Sequence, residues 1–349
     1  LSGVNPFTRK KTKPVLLMLI SVLQLLLSLI ALTAGAEFFI RGSVGLALRF
    51  GLSAFFIGLT IVGFGTSSPE MATSVAAAFN GNEAIAVGNV VGSNIFNVGM
   101  ILGITALVCP IAIRANIIWR ELPIMLLAVA TPYLALLTGG ILGRGWGLLL
   151  FSGLIAFLFW GYRSSRAENQ TGLPLVTEVL PEETGTTESA KHLSWGWITF
   201  LAVFGLALLI GGSHYLVLSA SSIARSLGIS EMVIALTIVA AGTSAPELFT
   251  SAVSAWRKQP DIAVGNIIGS NIFNSLGILG AAAMVRPQTI GPQTVWLDLP
   301  VMLILCLACI PVMLSGHRIS RGEGVLFLGA FGTYILVLLL AVPQWFPAA

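Results

Sequence analysis

The chain has 349 residues, 56% of them hydrophobic and 9% charged, with a mean hydropathy of +0.94 and a formal net charge of +4. A soluble globular domain carries about 25% charged residues, so the composition excludes one and gives an integral membrane protein. The positive excess is small and scattered; it gives no ground for a nucleic-acid partner and suits basic loops beside lipid headgroups.

Residues 1–14 form a basic tail with Arg9, Lys10, Lys11 and Lys13. An apolar run follows from Val15 to Ala34-Gly35-Ala36, and this order resembles a signal peptide with its cleavage site. The segment recurs, however: Leu32–Ser53 corresponds to Leu209–Ser230. The run is therefore expected to be a retained helix, long enough to be tilted or bent. Apolar segments of membrane-spanning length are expected over 15–48, 54–79, 84–108, 117–138, 145–163, 195–225, 231–256, 261–285, 296–316 and 322–342. Residues 164–194 break the pattern with Glu168, Glu178, Glu182, Glu183 and Glu188 among Ser, Thr, Gly and Pro, the composition of a flexible acidic linker. Cys306 and Cys309 form a C-x-x-C inside an apolar run, without the partners a redox or metal role needs, and are assigned to packing.

The two halves align at a constant offset of 177 residues, and 25 of the 44 positions from Thr60 to Gly103 match. Glu121-Leu122-Pro123 likewise faces Asp298-Leu299-Pro300, and Arg144-Gly145 faces Arg321-Gly322. The expected fold is an all-α integral membrane protein of ten transmembrane helices in two five-helix repeats, 15–163 and 195–342. Five crossings per repeat is an odd number, so the second repeat enters the membrane upside down. Inverted repeats are a transporter design with the binding site at the repeat interface. With both termini outside, eleven loop Lys and Arg fall inside, against Arg144, Arg225 and Arg286 outside. By the positive-inside rule this makes the 164–194 linker cytoplasmic and the location the cell inner (plasma) membrane, although the basic tail points the other way.

The strongest repeated stretches are GTSSPE, Gly65–Glu70, with AVGNVVGSNIFN, Ala86–Asn97, and their copies GTSAPE, Gly242–Glu247, with AVGNIIGSNIFN, Ala263–Asn274. Each copy puts a glutamate in strongly apolar sequence, and an intramembrane carboxylate is a functional candidate by default. Thr66, Glu70 and Ser74 share a helix face at i, i+4, i+8. Pro69 has no N–H and displaces the carbonyl four residues back, at Gly65, in a turn already loosened by Gly63 and Gly65. Thr243, Glu247, Ser251 and the Gly242 carbonyl repeat the set. The next helix adds the stripe Asn89, Ser93, Asn97, and its copy Asn266, Ser270, Asn274. Glycines 88, 92, 265 and 269 are expected to allow close helix approach.

These groups are all hard oxygen ligands. Calcium takes 6–8 oxygens at about 2.3–2.6 Å, and two glutamates match one divalent charge; the same oxygens suit monovalent cations. Transition metals favour His or Cys, and the motifs hold neither. Interhelical hydrogen bonding accounts equally well for any single Ser or Asn, but not for Glu70 and Glu247. Asn94 and Asn271 fall off the stripe and read as structural. Glu37 stands opposite His214 in the repeat, lining an ion path or held by local hydrogen bonds.

In the paired G-T-S-x-P-E and G-S-N-x-x-N motifs the chain resembles the sodium/calcium exchanger family, within the cation/Ca2+ antiporter superfamily, in its compact prokaryotic form without a large calcium-sensing domain. The likeness covers nearly the whole chain. It implies alternating access with cation sites between helices 2, 3, 7 and 8. Carried over by motif, the ligands are Thr66, Glu70, Ser93, Asn97, Thr243, Glu247, Ser270 and Asn274, with the carbonyls of Gly63 and Ala240. Asn274 stands where some relatives have aspartate, which leaves ion stoichiometry open and disfavours potassium co-transport. The expected function is secondary active exchange of Na+ for Ca2+, with no enzyme activity, no cofactor and no protein partner beyond the lipid bilayer. The alternative is a proton-coupled antiporter for Ca2+ or another divalent cation, since buried carboxylates can titrate near neutral pH. The repeat and the broken helices disfavour a passive channel. The lack of a positioned His or Lys disfavours an intramembrane hydrolase.

Overall fold

The computed structural model describes residues 12–170, 194–229, 234, 238–341 and 345. Ten helical segments follow in order: α1 Thr12–Phe50, α2 54–79, α3 Glu83–Val108, α4 Ile117–Thr138, α5 Arg144–Gln170, α6 Trp195–Ser226, α7 with 238–256 described, α8 Pro260–Val285, α9 Thr294–Leu314 and α10 Arg321–Leu340. Among the described residues, eight helices are long and apolar enough to cross a membrane; the broken α2 and α7 are not among them. Most of the expected limits hold within three residues. Residues 1–11 of the basic tail, 171–193 of the linker and most of 230–237 lie outside the described residues.

The linker begins later than the sequence suggested. α5 continues past 163 to Gln170, and Ser165 within that extension is a docking point: its hydroxyl accepts from the Ser53 backbone N–H at 2.9 Å and donates to Ser53 Oγ at 3.2 Å. That contact ties the end of α5 to the start of α2. α1 is 39 residues long, about 58 Å at 1.5 Å per residue, well beyond the roughly 30 Å of hydrocarbon.

Glycine sets two close helix contacts. α1 and α6 pack along most of their lengths, with Gly35 against Leu209, Gly42 against Ala202, Gly205 against Phe39 and Gly212 against Leu32. As one number rises the other falls, so the pair is antiparallel. The first half of α2 lies on α8: Gly58 meets Ile262, Gly265 meets Phe55 and Leu59, Gly269 meets the Leu59 backbone, and a Cβ at Gly63 would stand 3.2 Å from the Ser270 nitrogen. Here the numbers rise together, and the two helices run parallel.

Four two-residue strands close the loops. β1 Ile111–Ala112 pairs antiparallel with β4 Arg318–Ile319, and β2 Ile141–Leu142 pairs with β3 Gln288–Thr289. Shifting every residue by the repeat offset turns one ladder into the other in register: Ile111 opposite Ile319 becomes Gln288 opposite Leu142.

The glycine expectation holds at Gly265 and Gly269, where a Cβ meets α2 backbone; at Gly88 and Gly92 nothing lies within 4 Å among the described residues, and the matching α7 positions 232, 235 and 236 are outside them. Gly269→Val should therefore cost at least the 1–3 kcal/mol typical of overpacking, read as a lowered unfolding temperature in detergent.

Candidate cation site

Both motif helices break at the serine of GTS. In α2 the chain leaves helical geometry at Ser67 (φ −81°, ψ 8°), and in α7 at Ser244 (φ −91°, ψ 11°); Pro69 and Pro246 then sit in the first turn of the resumed helices Ser68–Phe79 and Ala245–Trp256, where a missing N–H costs nothing. α3 and α8 widen to π-helix over Asn97–Leu102 and Phe273–Ile278, a distortion frequent at functional sites. Ser68–Phe79 packs on Phe273–Ile278, and Ala245–Trp256 on Asn97–Leu102, so each glutamate-bearing segment faces the asparagine-bearing segment of the other repeat.

Glu70 and Glu247 are 1% and 2% exposed. Each carboxylate accepts one hydrogen bond from the break serine of the opposite repeat: Ser244 Oγ donates to Glu70 Oε1 at 3.0 Å, and Ser67 Oγ to Glu247 Oε1 at 2.9 Å. The second oxygen of each, Oε2, is buried without a protein partner. None of the ion pairs among the described residues involves either glutamate. Ser67 and Ser244 escape a reading by helical spacing because they lie off the Thr66–Glu70–Ser74 face. The break turns them across the interface, and their signal is identity in both motif copies.

The other predicted residues gather on the same four helices. Thr66 is buried, its hydroxyl 3.0 Å from the Val62 carbonyl and 3.2 Å from Asn266 Oδ1. Ser93 and Asn97 are buried on α3, and Ser270 and Asn274 on α8; Thr243 is half-buried at the end of Ala240–Thr243. Ser270 Oγ, Asn274 Oδ1 and both amide atoms of Asn97 lack protein partners. Gly63 and Ala240 open the short turns that precede the breaks, and the Gly63 carbonyl also accepts from the Ser67 N–H at 3.1 Å.

Two parts of the stripe do other work. Asn89 donates to the Glu70 carbonyl at 3.2 Å and to Ser74 Oγ at 2.8 Å; Asn266 donates to the Glu247 carbonyl at 3.3 Å and to Ser251 Oγ at 2.8 Å. These asparagines brace the resumed helices, and Ser74 and Ser251 are their acceptors. The carbonyl that Pro246 displaces, Gly242, is not free for an ion: Ser213 of α6 donates to it at 2.5 Å. Ala36 stands at the matching position in α1 and has no hydroxyl. Glu37 is held locally, by Arg41 at 2.6 Å and Arg257 at 2.9 Å.

Two carboxylates and a set of neutral oxygens, several without partners, are a donor set for hard cations. The family model described as sodium/calcium exchanger protein matches the chain twice, over residues 20–163 and 197–340. The chain belongs to the sodium/calcium exchanger family. The two matches are separated by the same 177 residues as the internal repeat. The exchanger MaX1 of Methanosarcina acetivorans is 31% identical over 91% of this chain and 98% of its own length. The inner membrane protein YrbG of Escherichia coli is 35% identical over 92% and 97%. The structure of the sodium-calcium exchanger NCX_Mj superposes with a TM-score of 0.75 at 30% identity, covering 93% of this chain and 99% of that one. Membership makes the chain an integral membrane antiporter rather than a catalyst of covalent chemistry.

Asn266 is fully buried and holds three partners, so Asn266→Ala should lower stability by about 1–3 kcal/mol, the cost of stranding buried polar groups. Asn89 is half-buried, and Asn89→Ala should cost less. Thermal unfolding in detergent measures both.

Proposed function

We propose that the chain exchanges Na+ for Ca2+ by alternating access, binding the ions between α2, α3, α7 and α8. The observation that carries this is the crossed pair of Ser–Glu hydrogen bonds, which puts two carboxylates at the repeat interface with one free oxygen each. The ligands are Thr66, Glu70, Ser93, Asn97, Thr243, Glu247, Ser270 and Asn274, with the carbonyls of Gly63 and Ala240; Ser67 and Ser244 position the carboxylates. Two ionised glutamates balance one Ca2+ or two Na+. A third Na+ would leave the loaded carrier positive and its movement worth about 2.3 kcal/mol per 100 mV.

The architecture proposed for this cycle is ten crossings in two inverted repeats, with both termini outside and the 164–194 linker cytoplasmic. Two features support it: the strand ladders, which interchange under the repeat offset, and the antiparallel α1–α6 and parallel α2–α8 contacts, which are the directions this topology requires. The matching halves also differ in exposure. Thr73 and Gly88 are exposed, while their counterparts Thr250 and Gly265 are buried.

Protein in liposomes loaded with Na+ and diluted into Na+-free buffer with labelled Ca2+ should accumulate Ca2+ at equal pH on both sides. Glu70→Gln and Glu247→Gln should each reduce uptake to background while still inserting. Ser67→Ala and Ser244→Ala should raise the half-saturating Ca2+ at least about tenfold, the lower end for a hydrogen bond to a charged group. Accumulation driven by a pH gradient alone, with no sodium present, would replace this reading with proton-coupled antiport. Ser189→Cys should resist impermeant thiol reagents in intact cells; ready labelling would reverse the orientation.

A further inference from the structure

Asn97 and Asn274 occupy the same place in the two repeats, yet their amides are held differently. Asn274 Nδ2 donates to Asn94 Oδ1 at 3.1 Å, and Asn94 Nδ2 donates to Ser275 Oγ at 2.8 Å. All three residues are fully or almost fully buried. The relay leaves α8 at Asn274, crosses to α3 and returns to α8. An amide has a donor end and an acceptor end, so anchoring Nδ2 of Asn274 on an acceptor also fixes its Oδ1. That oxygen is buried without a protein partner.

The first repeat cannot build the same relay. The counterpart of Ser275 is Val98, which has no hydroxyl. Asn271, the counterpart of Asn94, turns its Nδ2 back to the Ile267 carbonyl at 2.9 Å. Asn271 Oδ1 and Asn97 Nδ2, the two atoms that would form the matching bond, are both unpartnered. One substitution thus separates the two halves of an otherwise repeated constellation.

We propose that Ser275 and Asn94 are positioning residues that hold the oxygen of Asn274 toward the bound cation, while Val98 leaves Asn97 free to turn. The inference rests on the cation site proposed above and adds a division of labour. One amide is committed to oxygen ligation in every occupied state. The other presents or withdraws its oxygen as the occupant changes. Ser275 matters because its oxygen takes Asn94 Nδ2 and so keeps Asn94 Oδ1 turned to Asn274 Nδ2; without it, the buried Asn94 donor is stranded and its hold on Asn274 is lost.

The test measures ion binding as the rise in unfolding temperature of detergent-purified protein on adding Ca2+ or Na+, alongside uptake kinetics in liposomes. Ser275→Ala should raise the half-saturating ion concentration about five- to tenfold, the size of one net hydrogen bond, with the maximal rate within about twofold of the parent. Ser275→Thr keeps the hydroxyl and should stay within about twofold in both. Val98→Ser should lower the half-saturating concentration by giving Asn271 the missing acceptor. An unchanged half-saturating concentration in Ser275→Ala overturns the relay, as does a fall in yield and maximal rate alone, the mark of a merely structural role. Parent protein that binds ions but fails to couple Ca2+ uptake to Na+ overturns the exchange reaction and still tests the relay through binding. Parent protein that shows no shift with either ion overturns both.

Discussion

Two carboxylates are buried at the meeting point of the repeats, and among the described residues neither is in an ion pair. Taking an ionised carboxylate out of water costs several kcal/mol even after relaxation, and one serine hydroxyl each offsets only part of that. The cation proposed above would supply the rest. The local geometry is arranged around these two groups. Both helices that carry a glutamate break one turn earlier, which lets Ser67 and Ser244 reach across the interface, and both facing helices widen where they present asparagine oxygens.

A broken helix in a membrane exposes polar backbone, and such backbone is tolerated only where protein or a wet cavity satisfies it. Here the satisfaction is specific. Asn89 and Asn266 take the carbonyls of the two glutamates, Ser213 takes the carbonyl displaced by Pro246, and Thr66 meets Asn266 from the opposite repeat. These bonds hold the break open without using the carboxylate oxygens.

The repeats share their motifs but not their packing. α1 lies along Ala245–Trp256, with Glu37 bridging to Arg257, while α6 makes no comparable contact with Ser68–Phe79 among the described residues. The partners of that ion pair are His214 and Asn80 in the other repeat, which carry no such opposite charges. The α2–α8 glycine contact is close, and no counterpart at Gly88 and Gly92 is formed among the described residues. The unequal side chains of the two halves thus make matching segments pack differently.

The sequence alone determined the membrane class, nearly all helix limits and the repeat, and marked the two glutamates as site candidates, because each is a property of composition, spacing or identity along the chain. It also separated Asn94 and Asn271 from the ligand stripe by helical phase. It did not yield Ser67 and Ser244, because helical phase fails at a break, and only the break turns them toward the opposite glutamates. It placed Asn89 on the ligand stripe and left the Gly242 carbonyl free; both are claimed by neighbours that are distant in sequence. The end of α5 was also drawn too early; Ser165, within the extension, is fixed by Ser53. Nor did repetition of the motif disclose that Asn274 is anchored and Asn97 is not. That difference lies in a hydrogen bond from α3 to α8, and a bond between helices is decided by tertiary packing rather than by the order of residues within either one.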